Sequence, residues 1–362
     1  MSNAALPGLS RLTDAIHGAG AAISAQLGHA GVVAPPRKLT GVTAVAPPSR
    51  FVNPTSMAYC RAITVEEIRA VIKQFGLAAQ VAIDAGFDAV ELHFGHLYLP
   101  SSFLSPLINR RKDSYGGSID NRSRLVREIA QHVREVAGDQ IAVIAKLDMD
   151  DGLPGSIWID EALRTAQLLD SDATLDALEL TQARRCSSRC TCSGGEMCRS
   201  RSSPGVMPPA LRPAVRLFGK RTMGVYPYQD MYMLDAARQF VPLMRNTKLI
   251  LLGGITEREH LETGLAEGGF DFFAMGRALL REPDRVNSMM LQPDSRSRCN
   301  HNNKCMVTVF GRTHCVLDRC SATVRQCRQR RSSSPNARPA SRRAWWATSS
   351  IGIVMKPWMP PS

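Results

Sequence analysis

The sequence lacks long apolar runs and a secretory leader. No stretch of its 362 residues approaches the roughly 18 consecutive apolar residues that a membrane helix requires. The first residues, Met1–Gly8, have neither the basic start nor the apolar core of a signal peptide. We therefore expect no membrane span and a cytoplasmic location.

Acidic residues are missing where basic residues are concentrated. The chain carries a net charge of +13. Residues 183–205 contribute +4, with five arginines against one glutamate, and residues 319–362 contribute +9 without a single acid. The rest of the chain is electrically neutral, so the basic balance does not indicate a nucleic-acid partner.

These two basic segments also lack helical or strand periodicity. They hold six of the ten cysteines of the chain. Three interpretations are open: they are disordered basic segments, they bind metal or nucleic acid, or they are translated out of frame and were never selected to fold. Single-base shifts in the coding DNA that restore an apolar, charge-balanced translation would support the third interpretation.

The composition of the whole chain is that of a globular protein. Hydrophobic residues make up 44% and charged residues 21%, which excludes disorder throughout. Short apolar runs alternate with helical patterns, as in a parallel sheet covered by helices. No Gly-x-Gly-x-x-Gly follows the first strand, so we predict a (β/α)8 barrel rather than a doubly wound sheet. Six of its eight strands are visible, at 21–27, 88–92, 141–147, 176–180, 249–252 and 271–275.

Helix boundaries follow from capping patterns. Thr64 and Glu67 form a capping box that begins a long amphipathic helix, which we expect to end at Gly86. Thr256 with Glu259 predicts a second such start, for a helix that ends at Glu267. Helical spacing predicts three further helices, over 121–136, 160–169 and 232–244.

Polar residues stand at the carboxyl ends of the strands, where barrels of this class carry their chemistry. Gly253-Gly254 and Gly276-Arg277 each come directly before a predicted helix. Glycine lets the backbone approach a phosphate closely, and helix N-termini direct amides towards it. Either pair alone is a common turn, but two on consecutive strands predict a phosphate site.

His93, His96 and Tyr98 follow another strand. Neutral imidazoles can donate to an oxygen that gains negative charge, and a phenol can protonate carbon. A packed or metal-bound role fits the same spacing, although no third zinc ligand is evident. Lys146, at the next strand end, supplies positive charge for the N1/O2 edge of a flavin or for a salt bridge.

The run Glu91–Arg124 (ELHFGHLYLPSSFLSPLINRRKDSYGGSIDNRSR) resembles the signature of old yellow enzyme-type NADH:flavin oxidoreductases, the NADH oxidase and 2,4-dienoyl-CoA reductase-like flavin barrels. Four further motifs resemble the same family in the same order. The resemblance covers about 1–182 and 206–318. The motifs are SAQLGHAG (Ser24–Gly31), KLDMDDG (Lys146–Gly152), LLGGIT (Leu251–Thr256) and DFFAMGRALLREPD (Asp271–Asp284).

The resemblance implies an FMN-dependent barrel. NADH or NADPH would reduce the flavin, which would then reduce an activated C=C bond of a small-molecule substrate of enone or enoyl type. His93 and His96 would bind the substrate carbonyl, and Tyr98 would be the proton donor. The flavin would be held by Gln26 and Lys146 at its pyrimidine edge and by Gly253, Gly254, Gly276 and Arg277 at its phosphate.

The chain also departs from the family pattern. We expect a barrel domain over 1–318 without the first two strands of the family, interrupted at 183–205, and a disordered basic tail over 319–362. In the family's cysteine-rich region Asn302 replaces one cysteine, which leaves Cys299, Cys305 and Cys315, too few for the usual iron–sulfur site. We predict no metal. The alternative function is a truncated, frameshifted family member that binds no flavin.

Overall fold

All six predicted strands form, and they pair into one parallel sheet. The computed structural model describes residues 3–34, 44–47, 51–52, 59–182, 228–302, 305, 308, 313–317 and 353–355. The predicted strands match the observed ones to within three residues at each end. They are β1 (Ser24–Leu27), β5 (Ala89–Phe94), β6 (Ala142–Asp148), β7 (Ala177–Thr181), β8 (Lys248–Leu252) and β9 (Phe272–Met275).

The sheet is an incomplete (β/α)8 barrel. Its order is β1-β5-β6-β7-β8-β9, with every neighbouring pair parallel. A short strand inside the expected basic tail, β10 (Ile353–Met355), pairs antiparallel with β9. The predicted fold class is therefore confirmed. The prediction for the rest of 319–362, and that for 183–205, lie outside the described residues.

Side chains alternate between the two faces of the sheet because successive strand residues point in opposite directions. Leu92, Leu147 and Leu180 are fully buried beneath the helices. The opposite face holds a small apolar cluster around Ala177, Ile250 and Ala274. Polar residues share that inner face nearer the carboxyl ends of the strands.

Helices alternate with the strands along the chain, as in a (β/α) barrel. The longest, α2, is capped as predicted: Thr64 Oγ1 accepts from the Glu67 amide at 3.2 Å, and Glu67 accepts from the Thr64 amide at 2.9 Å. The helices are α1 (Leu6–His17), α2 (Val65–Asp84), α3 (Leu99–Leu104), α4 (Ile119–Arg122), α5 (Arg124–Ala137), α6 (Ile159–Ser171), α7 (Leu234–Ala237), α8 (Arg258–Ala266), α9 (Arg277–Arg281) and α10 (Arg285–Leu291).

Three of the helix predictions are wrong in detail. The helix expected over 121–136 is divided at Ser123 into α4 and α5. A single helix over 232–244 does not form: α7 ends at Ala237, and a 3₁₀ turn follows at Val241–Leu243. Pro242 has no amide to donate and its ring crowds the preceding turn, which interrupts a helix there. The capping box expected at Thr256 is also displaced by one residue. Glu257 is the N-cap residue, and His260 Nδ1 accepts a hydrogen bond from the Glu257 amide at 3.3 Å.

A few short elements have no counterpart in the sequence patterns. Three strands, β2 (Val45–Ala46), β3 (Phe51–Val52) and β4 (Tyr59–Ala62), form a separate small sheet in the order β2-β4-β3. Among the described residues, no helix is both long and apolar enough to cross a membrane.

Candidate active site

The two histidines and the tyrosine lie together after β5. The rings of His93 and His96 stack with centroids 5.2 Å apart, and their Nε2 and Nδ1 atoms lie 3.3 Å apart. The ring of Tyr98 meets that of His93 edge-on at 4.7 Å. The structure thus brings all three predicted catalytic side chains into one cluster.

The turn that presents them is held in an unusual conformation. His96 and Leu97 have positive φ values of 60° and 59°, which cost a non-glycine residue about 1–2 kcal/mol each. The His96 amide donates to Asp148 Oδ2 at 2.6 Å, and Ser101 Oγ donates to the Gly95 carbonyl at 2.8 Å. These bonds fix the turn, so the imidazoles are oriented before any ligand arrives.

His93 is neutral at physiological pH. Burial, together with the charges of His96 and Lys146, lowers the pKa of His93 to about 2. Its Nδ1 has no hydrogen-bond partner in the described part of the chain. A buried ring nitrogen without a partner is costly, and a ligand oxygen would satisfy it. The geometry therefore suits a neutral donor to a polarised oxygen.

We expect this burial to give the protein a pH-dependent stability. Below the unfolded-state pKa of about 6.5, the unfolded chain binds a proton at His93 that the folded chain excludes, so the free energy of unfolding falls as pH falls. In His93→Gln, the slope of the free energy of unfolding against pH should be smaller between about pH 6 and pH 4.5. The difference should approach the value for one linked proton, about 1.4 kcal/mol per pH unit. Urea unfolding at a series of pH values measures it, and an unchanged slope would contradict a neutral His93.

Lys146 is buried between two carboxylates. Its Nζ lies 3.3 Å from Glu91 Oε2 and 3.1 Å from Glu179 Oε1. Burial lowers the pKa of Lys146, but the charges of Glu179 and Glu91 outweigh it and raise the pKa overall. Gln26 Nε2 donates to Glu91, which joins the first strand to this cluster.

Sequence patterns missed both glutamates. Each stands in an apolar strand, as the single acid in AVELHF and ALELT, and a charge in such a run is the signal that could have revealed it. Because His93, Lys146 and Glu179 occupy one register row, the parallel pairing brings them to one level of the barrel.

The glycines after β8 adopt a backbone conformation that only glycine reaches without strain. Gly254 has a φ of 79°, and a Cβ there would lie 2.7 Å from the Met231 amide nitrogen. A Cβ at Gly276 would meet no atom of the described residues within 4 Å, so the backbone at the start of α9 borders open space. Because β8 and β9 are adjacent and parallel, both glycine turns and Arg277 lie at the same end of the sheet.

We expect Gly254→Ala to weaken FMN binding at least tenfold, about 1.4 kcal/mol. The side chain would be strained by the positive φ and would press on the backbone of Met231. Gly20→Ala is the matched control, because Gly20 has a similar φ of 74° but open space around it. Fluorescence titration with FMN measures both, and equal affinities would contradict a phosphate site at Gly254.

Two aromatic residues beside this site were not predicted. Tyr228 OH donates to the Gly254 carbonyl at 3.2 Å, and its ring stacks on His301 with centroids 3.6 Å apart. Burial and the nearby charge of Arg277 lower the pKa of His301. His301 stands between Cys299 and Cys305 in the cysteine-rich run, and no local pattern there indicates a stacking partner for Tyr228.

Three cysteines of the cysteine-rich region lie among the described residues. Cys299, Cys305 and Cys315 are free thiols. Within the described ranges, no three His, Cys, Asp or Glu side chains are placed to hold a metal ion.

Comparison with known proteins identifies the family. The model of the NADH:flavin oxidoreductase / NADH oxidase family matches residues 1–185. The chain belongs to this family. It is 41% identical over 317 residues to the 4,4'-dithiodibutanoate disulfide reductase of Rhodococcus erythropolis, a match that covers 88% of this chain and 77% of that protein. It is 30% identical over 285 residues to the NADH oxidase of Thermoanaerobacter brockii, which covers 77% of this chain and 38% of that protein.

Solved structures support the same fold. Morphinone reductase in complex with tetrahydroNAD superposes with a TM-score of 0.59 at 24% identity, over 84% of this chain and 75% of that one. A 2-naphthoyl-CoA reductase superposes with a TM-score of 0.67 at 23% identity, over 84% of this chain and 43% of that one. The cofactor of the family is FMN, and NADH or NADPH is its reductant.

Proposed function

We propose that this chain binds FMN and catalyses the NAD(P)H-dependent reduction of a small molecule with an activated C=C bond. The observation that carries the proposal is the cluster of His93, which is neutral, with His96 and Tyr98 at the mouth of a flavin-family barrel. Imidazole donors next to a phenol suit an enone or enoyl group, which needs both oxygen activation and a proton.

Each site residue has a distinct part in this proposal. When bound, FMN supplies the hydride that it has received from NADH or NADPH. His93 and His96 donate hydrogen bonds to the substrate carbonyl, and Tyr98 delivers a proton to the α-carbon. Gln26 and Lys146 hold the pyrimidine edge of the flavin, while Gly253, Gly254, Gly276 and Arg277 hold its phosphate.

A disulfide is the second candidate substrate. The relative at 41% identity is named as a disulfide reductase. With a disulfide, hydride would add to one sulfur, the S–S bond would break, and the other sulfur would leave as a thiolate. Tyr98 could protonate that thiolate, so the same cluster serves either acceptor.

Separate half-reactions test the proposal. NADH or NADPH should bleach the flavin absorbance under anaerobic conditions, and an added cyclohexenone or a dialkyl disulfide should restore it. Faster reoxidation by the enone supports C=C reduction, whereas faster reoxidation by the disulfide favours the second candidate. A chain that is folded but takes up no FMN would support the inactive alternative and overturn the proposal.

A further inference from the structure

The buried cluster around Lys146 contains more negative than positive groups. Glu91 and Glu179 both contact one ammonium, and Glu179 is 2% and Lys146 5% exposed. If both carboxylates were ionised, one negative charge would remain uncompensated in a buried place. Such a charge costs several kcal/mol, and proteins avoid it by protonation.

No second cation offsets the charge among the described residues that face the cluster. On β5 the neighbour is His93, which is neutral, and on β1 it is the uncharged amide of Gln26. On β8 it is the buried and apolar Ile250, which pairs with Glu179 in the sheet register. One proton is therefore the remaining way to neutralise the cluster.

Glu179 is the better place for that proton. The side chain of Glu179 is 3% exposed and that of Glu91 is 12% exposed, so a charge on Glu179 is the more deeply buried of the two. Burial raises the pKa of Glu179 to about 8, with Lys146 acting against the rise and Glu91 adding to it. The two carboxyls are buried to different depths, and burial acts against the charged form of Glu179.

We propose that Glu91 and Glu179 hold one proton between them, and that this proton lets Lys146 bind the pyrimidine edge of FMN. Glu179 is then a positioning residue that acts through Lys146. The proposal rests on the FMN binding proposed above. With Glu179 protonated, one carboxylate competes with the flavin for the ammonium. When the proton leaves Glu179 for bulk water, a second carboxylate competes and the cluster becomes net negative.

Infrared spectroscopy of the flavin-free protein tests the proton directly. Protein labelled with ¹³C at the glutamate carboxyls should show a protonated carboxyl band at about pH 7 that disappears around pH 8, as the carboxyl ionises. Glu179→Gln should lack this band. A wild-type protein without a protonated glutamate carboxyl at neutral pH overturns the proposal, whether or not the variant folds.

The affinity for FMN tests the consequence. Above the pH at which Glu179 ionises, the dissociation constant of the wild type for FMN should rise by up to tenfold per pH unit, as expected for one linked proton. Glu179→Gln should lose this rise, whereas Glu259→Gln, at an exposed glutamate, should retain it. Equal pH dependence in the wild type and Glu179→Gln overturns the proposal but leaves FMN binding intact. If FMN does not bind at any pH, the proposed function fails, and the infrared titration still decides where the proton lies.

Discussion

Replacing Tyr98 by Phe should slow the reduction of the alkene by about 10²–10⁴-fold, the range for loss of a positioned general acid. The hydroxyl is the only group removed, and the ring that packs edge-on against His93 is kept. Reduction of the bound flavin by NADH needs no proton from Tyr98, so its rate should be unchanged. Stopped-flow measurement of the two half-reactions separates these effects.

Tyr115→Phe is the matched control. Tyr115 OH donates to Glu128 Oε2 at 2.7 Å and is not part of the histidine cluster. Its loss should cost about 0.5–1.5 kcal/mol of stability without slowing either half-reaction. If Tyr98→Phe leaves substrate reduction as fast as this control does, Tyr98 is not the proton donor.

Replacing Lys146 by Met should lower the free energy of unfolding by about 3–5 kcal/mol near neutral pH, because it leaves the one negative charge of the Glu91–Glu179 pair buried without its countercharge. The deficit should shrink as pH falls, since protonated carboxyls need no partner. Burial holds the pKa of Glu179 above the unfolded value of about 4.3, so stability is lost as pH rises. Urea unfolding followed by circular dichroism measures the deficit at each pH.

Lys248→Met provides the comparison. Lys248 Nζ lies 3.1 Å from Asp271 Oδ1, but its side chain is 64% exposed. Exposed ion pairs contribute about 0–1 kcal/mol, so this variant should remain close to the wild type in stability. Similar losses in the two variants would contradict the picture of Lys146 as the neutralising centre of a buried cluster.

The strands of the sheet were predictable because a parallel strand that is buried on both faces consists of a continuous run of apolar residues. Capping was predictable at Thr64, where one local pattern fits one geometry. Capping was not predictable at Thr256. The carbonyl of Thr256 accepts a hydrogen bond from Arg285 Nε at 2.9 Å, and these two residues are distant in sequence. Such a contact leaves no local pattern, and the two-residue strands β2 and β3 are too short to show any periodicity.

The candidate site was predictable in its strand-end residues but not in its electrostatics. His93, His96, Tyr98 and Lys146 stand in recognisable motifs. The neutralisation of Lys146 by Glu91 and Glu179 depends on the register between strands that are many residues apart, and on their burial. The sequence supplied the charged groups, whereas the pairing of the strands decides which of them meet.

The central claim is that this incomplete barrel holds FMN, and equilibrium titration of the flavin-free chain with FMN tests it most directly. We expect one FMN per chain, with quenched flavin fluorescence and weaker binding in Gly254→Ala. A chain that shows the helix and strand content of the fold by circular dichroism, yet binds no FMN, would contradict the account.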